Sequence, residues 1–313
     1  MIPMVLVMAL ALLTPGLLVG DLSGILERGG EASYGAEQVV SCLTPDGVTS
    51  AILTIEQSGG NMVVGSDLLG VTSFATGPGD LTMMHRDGSV EHATVIGREA
   101  PQTVPYEVVE LGGLTFLGRE ATAYRLERAG LVRAELVLDD VTGVVVRSTT
   151  YGADGALYCI HRFISFDPGS RELPQVTKEE GPTLEPLEEA SGIFPEQIAG
   201  FVRLDEYEDP GGLRFTYYSD GFFSFAVFQT PAMVPLPDAV LVSRNRGDYQ
   251  RAFTAGQVFY TWEIERGGMA LVGDLPPDMH DAVLDDLPEP ERPGWFRRLW
   301  RSIFGATSSR GFK

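Results

Sequence analysis

Positive charge is scarce in this chain. Its 313 residues carry 23 Lys and Arg against 43 Asp and Glu, a formal net charge of −20. Such a chain repels phosphate backbones, which excludes a nucleic-acid binder and fits a soluble protein that can meet a basic partner. Histidine is scarcer, with His85, His92, His161 and His280 scattered so that no pair stands at zinc-ligand spacing. His85 beside a turn and His280 on a helix read as surface residues, and His161 as a strand-face residue. There is no nucleophile-elbow pattern, and Tyr218-Ser219-Asp220-Gly221 reads as a hairpin turn. Gly112-Gly113 and Gly211-Gly212 match neither a phosphate loop nor a dinucleotide fingerprint. The neighbouring acids Asp139-Asp140 and Asp285-Asp286 read as solvated turn and helix faces. The expectation is a non-enzymatic protein with no catalytic, cofactor or metal site.

Charge is missing altogether from Met1 to Gly20. Met4–Leu13 has the make-up of a secretory apolar core, broken by Thr14-Pro15-Gly16 before the small Gly20. Residues 1–20 therefore read as a signal peptide or as an uncleaved N-terminal anchor, since about twenty apolar residues just span a bilayer. No Lys or Arg precedes the run, and no cysteine follows it to receive a lipid. The expected location is exported, periplasmic or extracytoplasmic, with membrane association open. Only two cysteines occur, Cys42 and Cys159, both in apolar, strand-like stretches. They form a candidate disulfide in an exported chain, or else two buried free thiols.

What is present is mostly β pattern. At 44% hydrophobic and 21% charged residues the chain is globular in composition and long enough for two domains. Asp21 to Tyr34 reads as a short helix broken by Gly29-Gly30. From Val39 onward short strands are punctuated by turns such as Thr44-Pro45-Asp46-Gly47 and His85–Ser89. Between Val108 and Phe166 four strands follow one another across acidic-glycine turns, the pattern of a meander with one face buried and the other wet. Domain boundaries are expected at 21–170 and 195–290, joined by a linker over 171–194 rich in Glu and Pro. The second domain reads as a small antiparallel sheet with one helix that begins after Pro276-Pro277. The fold class is mainly β (α+β).

Residues 291–313 differ from everything before them. Arg292 to Lys313 holds six basic residues and no acidic one. Trp295, Phe296, Leu299, Trp300, Ile303 and Phe304 line one helical face, with Arg297, Arg298 and Arg301 mostly on the other. That is the pattern of an amphipathic helix lying on an anionic membrane surface or on a partner, the alternative being a helix packed on its own acidic domain.

Several segments resemble the RseB/MucB-type sigma-E factor regulatory proteins, in their actinobacterial form. They are Ile25-Leu26-Glu27-Arg28 leading to Tyr34–Ser41, Leu117–Ala121 with Glu135–Ser148, Phe215–Phe228, and Met269–Asp278. They occur in order from about residue 22 to 290. The resemblance implies a LolA/LppX-like N-terminal domain, an unclosed antiparallel half-barrel wrapped on helices with a greasy concave face. It implies a smaller sheet domain that helps hold the outer part of an RseA-like, membrane-spanning anti-sigma factor. Binding would shield that factor from proteolysis until a lipidic or misfolded-envelope signal releases it. A curved sheet lined by Val40, Ile52, Leu53 and Leu136 would suit an acyl-lipid ligand, and the alternative function is a lipid or lipoprotein carrier. The acidic chain would meet a lipopolysaccharide-type ligand chiefly through acyl chains. The basic aromatic tail is not part of the resemblance.

Overall fold

The structure, a computed structural model, describes residues 22–68, 71–77, 80–87, 89–95, 105–169, 172–173, 183–187, 192–236, 239–254 and 256–291. Residues 1–20 and the tail residues from Trp295 to Phe304 lie outside them. Helix α1 (Ser23–Glu31) leads into β1 (Tyr34–Thr44), β2 (Gly47–Ser58), β3 (Asn61–Leu68), β4 (Val71–Gly77), β5 (Asp80–His85) and β6 (Val90–Val95). The meander follows as β7 (Glu107–Phe116), β8 (Arg119–Arg128), β9 (Leu131–Asp139), β10 (Val145–Tyr151) and β11 (Leu157–Pro168), and β12 (Thr183–Leu184) comes after it. The second half holds β13 (Gln197–Ile198), β14 (Phe201–Glu208), β15 (Arg214–Ser219), β16 (Ser224–Thr230), β17 (Val240–Arg244), β18 (Gly247–Thr254), β19 (Gln257–Ile264), β20 (Gly267–Gly273) and helix α2 (Pro277–Asp286).

Two sheets result. The first has twelve strands in the order β12-β6-β5-β4-β3-β2-β1-β11-β10-β9-β8-β7. Its end strands β12 and β7 do not pair, so the half-barrel is open, and all its pairings are antiparallel except β12 on β6. The second has eight strands in the order β13-β14-β15-β16-β20-β19-β18-β17. The fold is mainly β, as expected.

Local chemistry explains the frame. Along β1 the buried residues Tyr34, Ala36, Val40 and Cys42 recur at even spacing, so one face of the strand turns inward. The strand ends where Pro45-Asp46 turn the chain and Gly47 takes φ 123°, a region that favours glycine. Helix α1 runs through Gly29-Gly30 instead of breaking there. A Cβ at Gly29 would collide with the Gly143 carbonyl, so glycine is needed there for close approach to the β9–β10 turn. Helix-end carbonyls need outside donors. The buried Gln57 of β2 supplies one, its Nε2 donating to Gly29 O at 2.9 Å and to Gly30 O at 2.6 Å.

The expected wet face of the meander is not found on β9. Ala134, Leu136 and Leu138 join a core shared with the second sheet, while Val137 joins a separate cluster with Ala36, Ile55 and Phe163. Both faces are covered, one by the second half of the chain. The second sheet is likewise buried on two faces. Phe225, Val227 and Tyr260 face the shared core with Val283 and Leu284 of α2, and Phe215, Phe228 and Phe259 face a cluster closed by Leu184. Two covered faces explain why β16 is buried without alternation from Ser224 to Phe228 and β19 from Gln257 to Trp262. Within the stretch expected as linker, Thr183-Leu184 pairs with β6 and Leu187 N–H donates to Glu206 O at 2.7 Å.

Candidate functional site

The most heavily built polar site lies where the two sheets meet. Asp220, in the turn from β15 to β16, has no exposed side-chain surface. Its carboxylate accepts from Arg128 Nη1 at 2.6 Å and from Tyr106 Oη at 2.7 Å, both groups of the first half of the chain. It also accepts from the N–H groups of Phe222 and Phe223 at 3.1 and 2.9 Å. Burial first, and then the Asp220 charge, raises the Tyr106 hydroxyl pKa, so the phenol stays protonated as a donor. Two further ion pairs cross the junction, Arg133–Asp278 at 3.1 Å and Arg251–Asp46 at 2.8 Å. At the same junction Gly256 (φ 86°) rests on Val40 and on the ring of His161, where any Cβ would crowd both. Beside the Arg133–Asp278 pair a cleft of about 450 Å³ opens between the β1–β2 turn, the β10–β11 turn and the start of α2, with Leu43, Pro45, Leu157, Tyr158 and Asp278 on its walls. Its apolar walls can seat an apolar side chain of a partner.

Several expectations from the sequence change here. His280 is not a surface residue. It is buried under the second sheet, where Nε2–H donates to Leu275 O at 2.7 Å and Nδ1 faces Tyr260 Oη at 3.4 Å. Burial pulls its pKa down to about 4, and burial does the same to His161. Asp139 is not a solvated turn acid either. It takes Arg119 Nε at 2.6 Å and both the N–H and hydroxyl of Thr142. Burial alone would raise its pKa, but these donors outweigh it and hold the carboxyl below the ordinary range. The turn at Ser219–Gly221 exists, yet its aspartate is the hub of the junction. Nothing in the local pattern marks Asp220, because Ser-Asp-Gly is an ordinary turn sequence and its partners lie 92 and 114 residues away.

Cys42 and Cys159 are disulfide-bonded, facing one another across β1 and β11 with Cα atoms 4.0 Å apart. Val40, Tyr158 and Leu53 pack around the bridge. The proposed lipid lining does not form one surface. Val40 lies under Gly256, Leu136 lies in the shared core, and Ile52 points to the opposite face from Leu53. The nine tail residues expected to touch membrane or partner lie outside the described residues.

Asp274 follows β20 and accepts from Ser224 N–H at 3.0 Å. Burial first, with the nearby Asp220 charge adding to it, pushes its pKa up to about 7. The folded chain therefore keeps this proton to about pH 7, whereas the unfolded chain releases it near about pH 4. The group's contribution to stability falls as pH rises through that window. Asp274→Asn, which keeps an acceptor for Ser224, is expected to raise stability by about 1–3 kcal/mol at about pH 8 and to change little at about pH 4. Chemical denaturation at the two pH values checks this, and an equal gain at both would rule out ionisation as the cause.

The architecture defines a class: an open half-barrel docked on a second, smaller sheet. No protein-family model matches the chain, and no curated protein matches it. Solved structures do. A chain of the Pseudomonas aeruginosa MucA/MucB complex is 16% identical, with TM-score 0.50, over 88% of this chain and 100% of that one. A crystal structure of MucB in complex with MucA(peri) gives 17% identity and TM-score 0.51 over 87% of this chain and 100% of the other. The chain has the MucB fold, across both sheets. No helix of the described residues is long and apolar enough to cross a membrane.

Proposed function

We propose that this chain is an extracytoplasmic, non-enzymatic regulator of RseB/MucB type that binds the outer part of a membrane-spanning anti-sigma factor and so modulates envelope-stress signalling. The observation that carries the reading is the fold match over both sheets to chains solved as MucA/MucB and MucB–MucA(peri) complexes. In this reading residues 21–170 and 195–290 are the two binding units and 171–194 connects them. The clamp at Asp220 fixes their relative angle, so a partner that spans both sheets meets a preset surface. The basic tail, from Trp295 to Phe304, holds the complex against anionic lipid. A lipidic signal sensed by the chain would release the anti-sigma factor.

The test is capture of partners by residues 21–313 from a membrane extract, with proteins and lipids identified by mass spectrometry. A single-span anti-sigma factor as the main partner is the expected result. Acyl lipid or lipoprotein alone would instead make the chain a carrier.

A further inference from the structure

A sheet presents unpaired N–H and C=O groups along its edge strands, and folded proteins blunt such edges with short strands, cations or proline. Three of the four sheet edges among the described residues are blunted. β12 and β13 have two residues each, and β17 has five and ends in Arg244, tied to Asp281. The fourth edge is not. β7 is ten residues long, holds no Lys, Arg or Pro, and pairs only with β8 among the described residues. Its Leu111 and Leu114 are 45% and 36% exposed. Leu111 is the extra residue of a bulge, so the straight run open to pairing is 112–116.

The two faces of this edge differ. Residues opposed across strands share a face, as do alternate residues of one strand. On one face Leu114 lies opposite the buried Ala121, and Gly112 lies opposite Ala123. Phe116 and Ala123 pack against the cluster that holds Ala121. Beyond its chain neighbours no atom lies within 4 Å of where a Gly112 Cβ would stand, so a gap opens beside Leu114. The arginines of this face are neutralised, Arg119 by Asp139 and Arg125 by Glu127 and Glu135, and Glu107 stands at the far end of the strand. The other face is acidic. Glu110 lies opposite Tyr124, Glu120 lies opposite Thr115, and Asp140 accepts from Thr122 Oγ1 at 2.7 Å. All three acids are exposed, and none has an ion pair among the described residues. Burial first, and then the charges of Glu110 and Asp140, raise the Tyr124 hydroxyl pKa, which sets both acids near it. The arginine on that side of β8, Arg128, is tied to Asp220.

We propose that the free edge of β7 takes up an extended segment of a partner protein as an added strand, with apolar and basic side chains alternating along that segment. Its backbone pairs with residues 112–116. Its apolar side chains cover Leu114 and enter the gap at Gly112, and its basic side chains meet Glu110, Glu120 and Asp140. Alternation is required because successive side chains of a strand fall on opposite faces of the sheet. A second copy of this chain is a poorer occupant. It would bring its own Glu110 and Glu120 to the acidic face, and each copy carries a net charge of −20. The proposal goes beyond the regulator reading and does not depend on it, because it rests on the register and side chains of one edge strand.

Fluorescence anisotropy of a labelled peptide of alternating leucine and lysine, titrated with the chain from residue 21 to 313, tests it. Binding is expected, and it should weaken with added salt. The same peptide methylated on its backbone nitrogens keeps its side chains but cannot donate to β7, and should bind about ten-fold more weakly. Leu114→Lys, which puts a cation on the open edge, should lower affinity about ten-fold. Glu110→Gln/Glu120→Gln should lower it several-fold. Glu27→Gln/Glu31→Gln removes the same charge at exposed positions of α1 and should leave binding unchanged. All these positions are exposed, so each variant should melt close to the parent. The proposal is overturned if the parent ignores the peptide or if the methylated peptide binds as well. It is also overturned if the α1 variant loses as much as the Glu110/Glu120 variant, which would reduce the attraction to net charge. Self-association of the parent that Leu114→Lys abolishes would overturn it too, by assigning the edge to a second copy.

Discussion

Asp220→Ala is expected to destabilise the folded chain by about 3–5 kcal/mol, the range for removing one partner of a buried, hydrogen-bonded ion pair. The cost has three sources. Arg128 is left beside the junction without its carboxylate, the Tyr106 hydroxyl loses its acceptor in a place sealed from water, and the N–H groups of Phe222 and Phe223 lose theirs. Each orphaned buried donor carries its own desolvation penalty. Asp220→Asn should cost less, because an amide oxygen still serves the turn. A double-mutant cycle with Arg128→Ala checks the origin, with coupling of about 1–3 kcal/mol expected between the two sites. Additive effects of the two substitutions would show that the ion pair does not hold the sheets together. The same substitution tests the functional reading. A loosened junction should weaken partner capture even at temperatures where each sheet remains folded.

Replacing both cysteines, Cys42→Ser/Cys159→Ser, is expected to cost up to about 5 kcal/mol. The bridge spans 117 residues of sequence, and closing so long a loop in the unfolded chain removes much of its entropy. The position matters as well. β1 and β11 are neighbours in the middle of the twelve-stranded sheet, and their pairing joins the start of the half-barrel to its meander. Buried serine hydroxyls in the apolar surroundings of Val40, Tyr158 and Leu53 add a further penalty. Urea unfolding of the variant against the parent measures the sum, with the parent repeated under reductant as a comparison. A loss below about 1 kcal/mol would mean that the register of β1 on β11 is secured by backbone pairing and side-chain packing alone.

Most of the strand and turn pattern could be read from the residues. The β1–β2 hairpin follows from alternation on either side of Pro45-Asp46-Gly47, and the meander follows from its regularly spaced glycine turns. The α2 start at Pro277 and its buried Val283 follow from ordinary helix signals. Local signals failed where a residue's role depends on a distant segment. Gly29-Gly30 looks like a helix breaker until Gly143 is seen pressed against it. His280 looks like a surface histidine until β19 lies over it, and Asp139 looks solvated until Arg119 reaches it. The lipid lining imagined from Val40, Ile52, Leu53 and Leu136 fails for a simpler reason. Neighbouring residues of one strand point to opposite faces, so Ile52 and Leu53 never line one surface.

The sequence by itself determined the elements, the mainly β class, the globular composition and the acidic net charge. Those depend on periodicity, turn chemistry and net charge, which act over a few residues or over the whole chain. Tertiary structure alone decided which faces are covered, which carboxylates became structural hubs and which arginines were left unpaired. Those properties arise from contacts between residues a hundred positions apart, as Arg128 and Tyr106 are from Asp220, and no local pattern encodes such a meeting. The half-buried Arg147 and the exposed Arg162 show this too, since each is an unremarked strand arginine until the register of β10 on β11 sets them side by side.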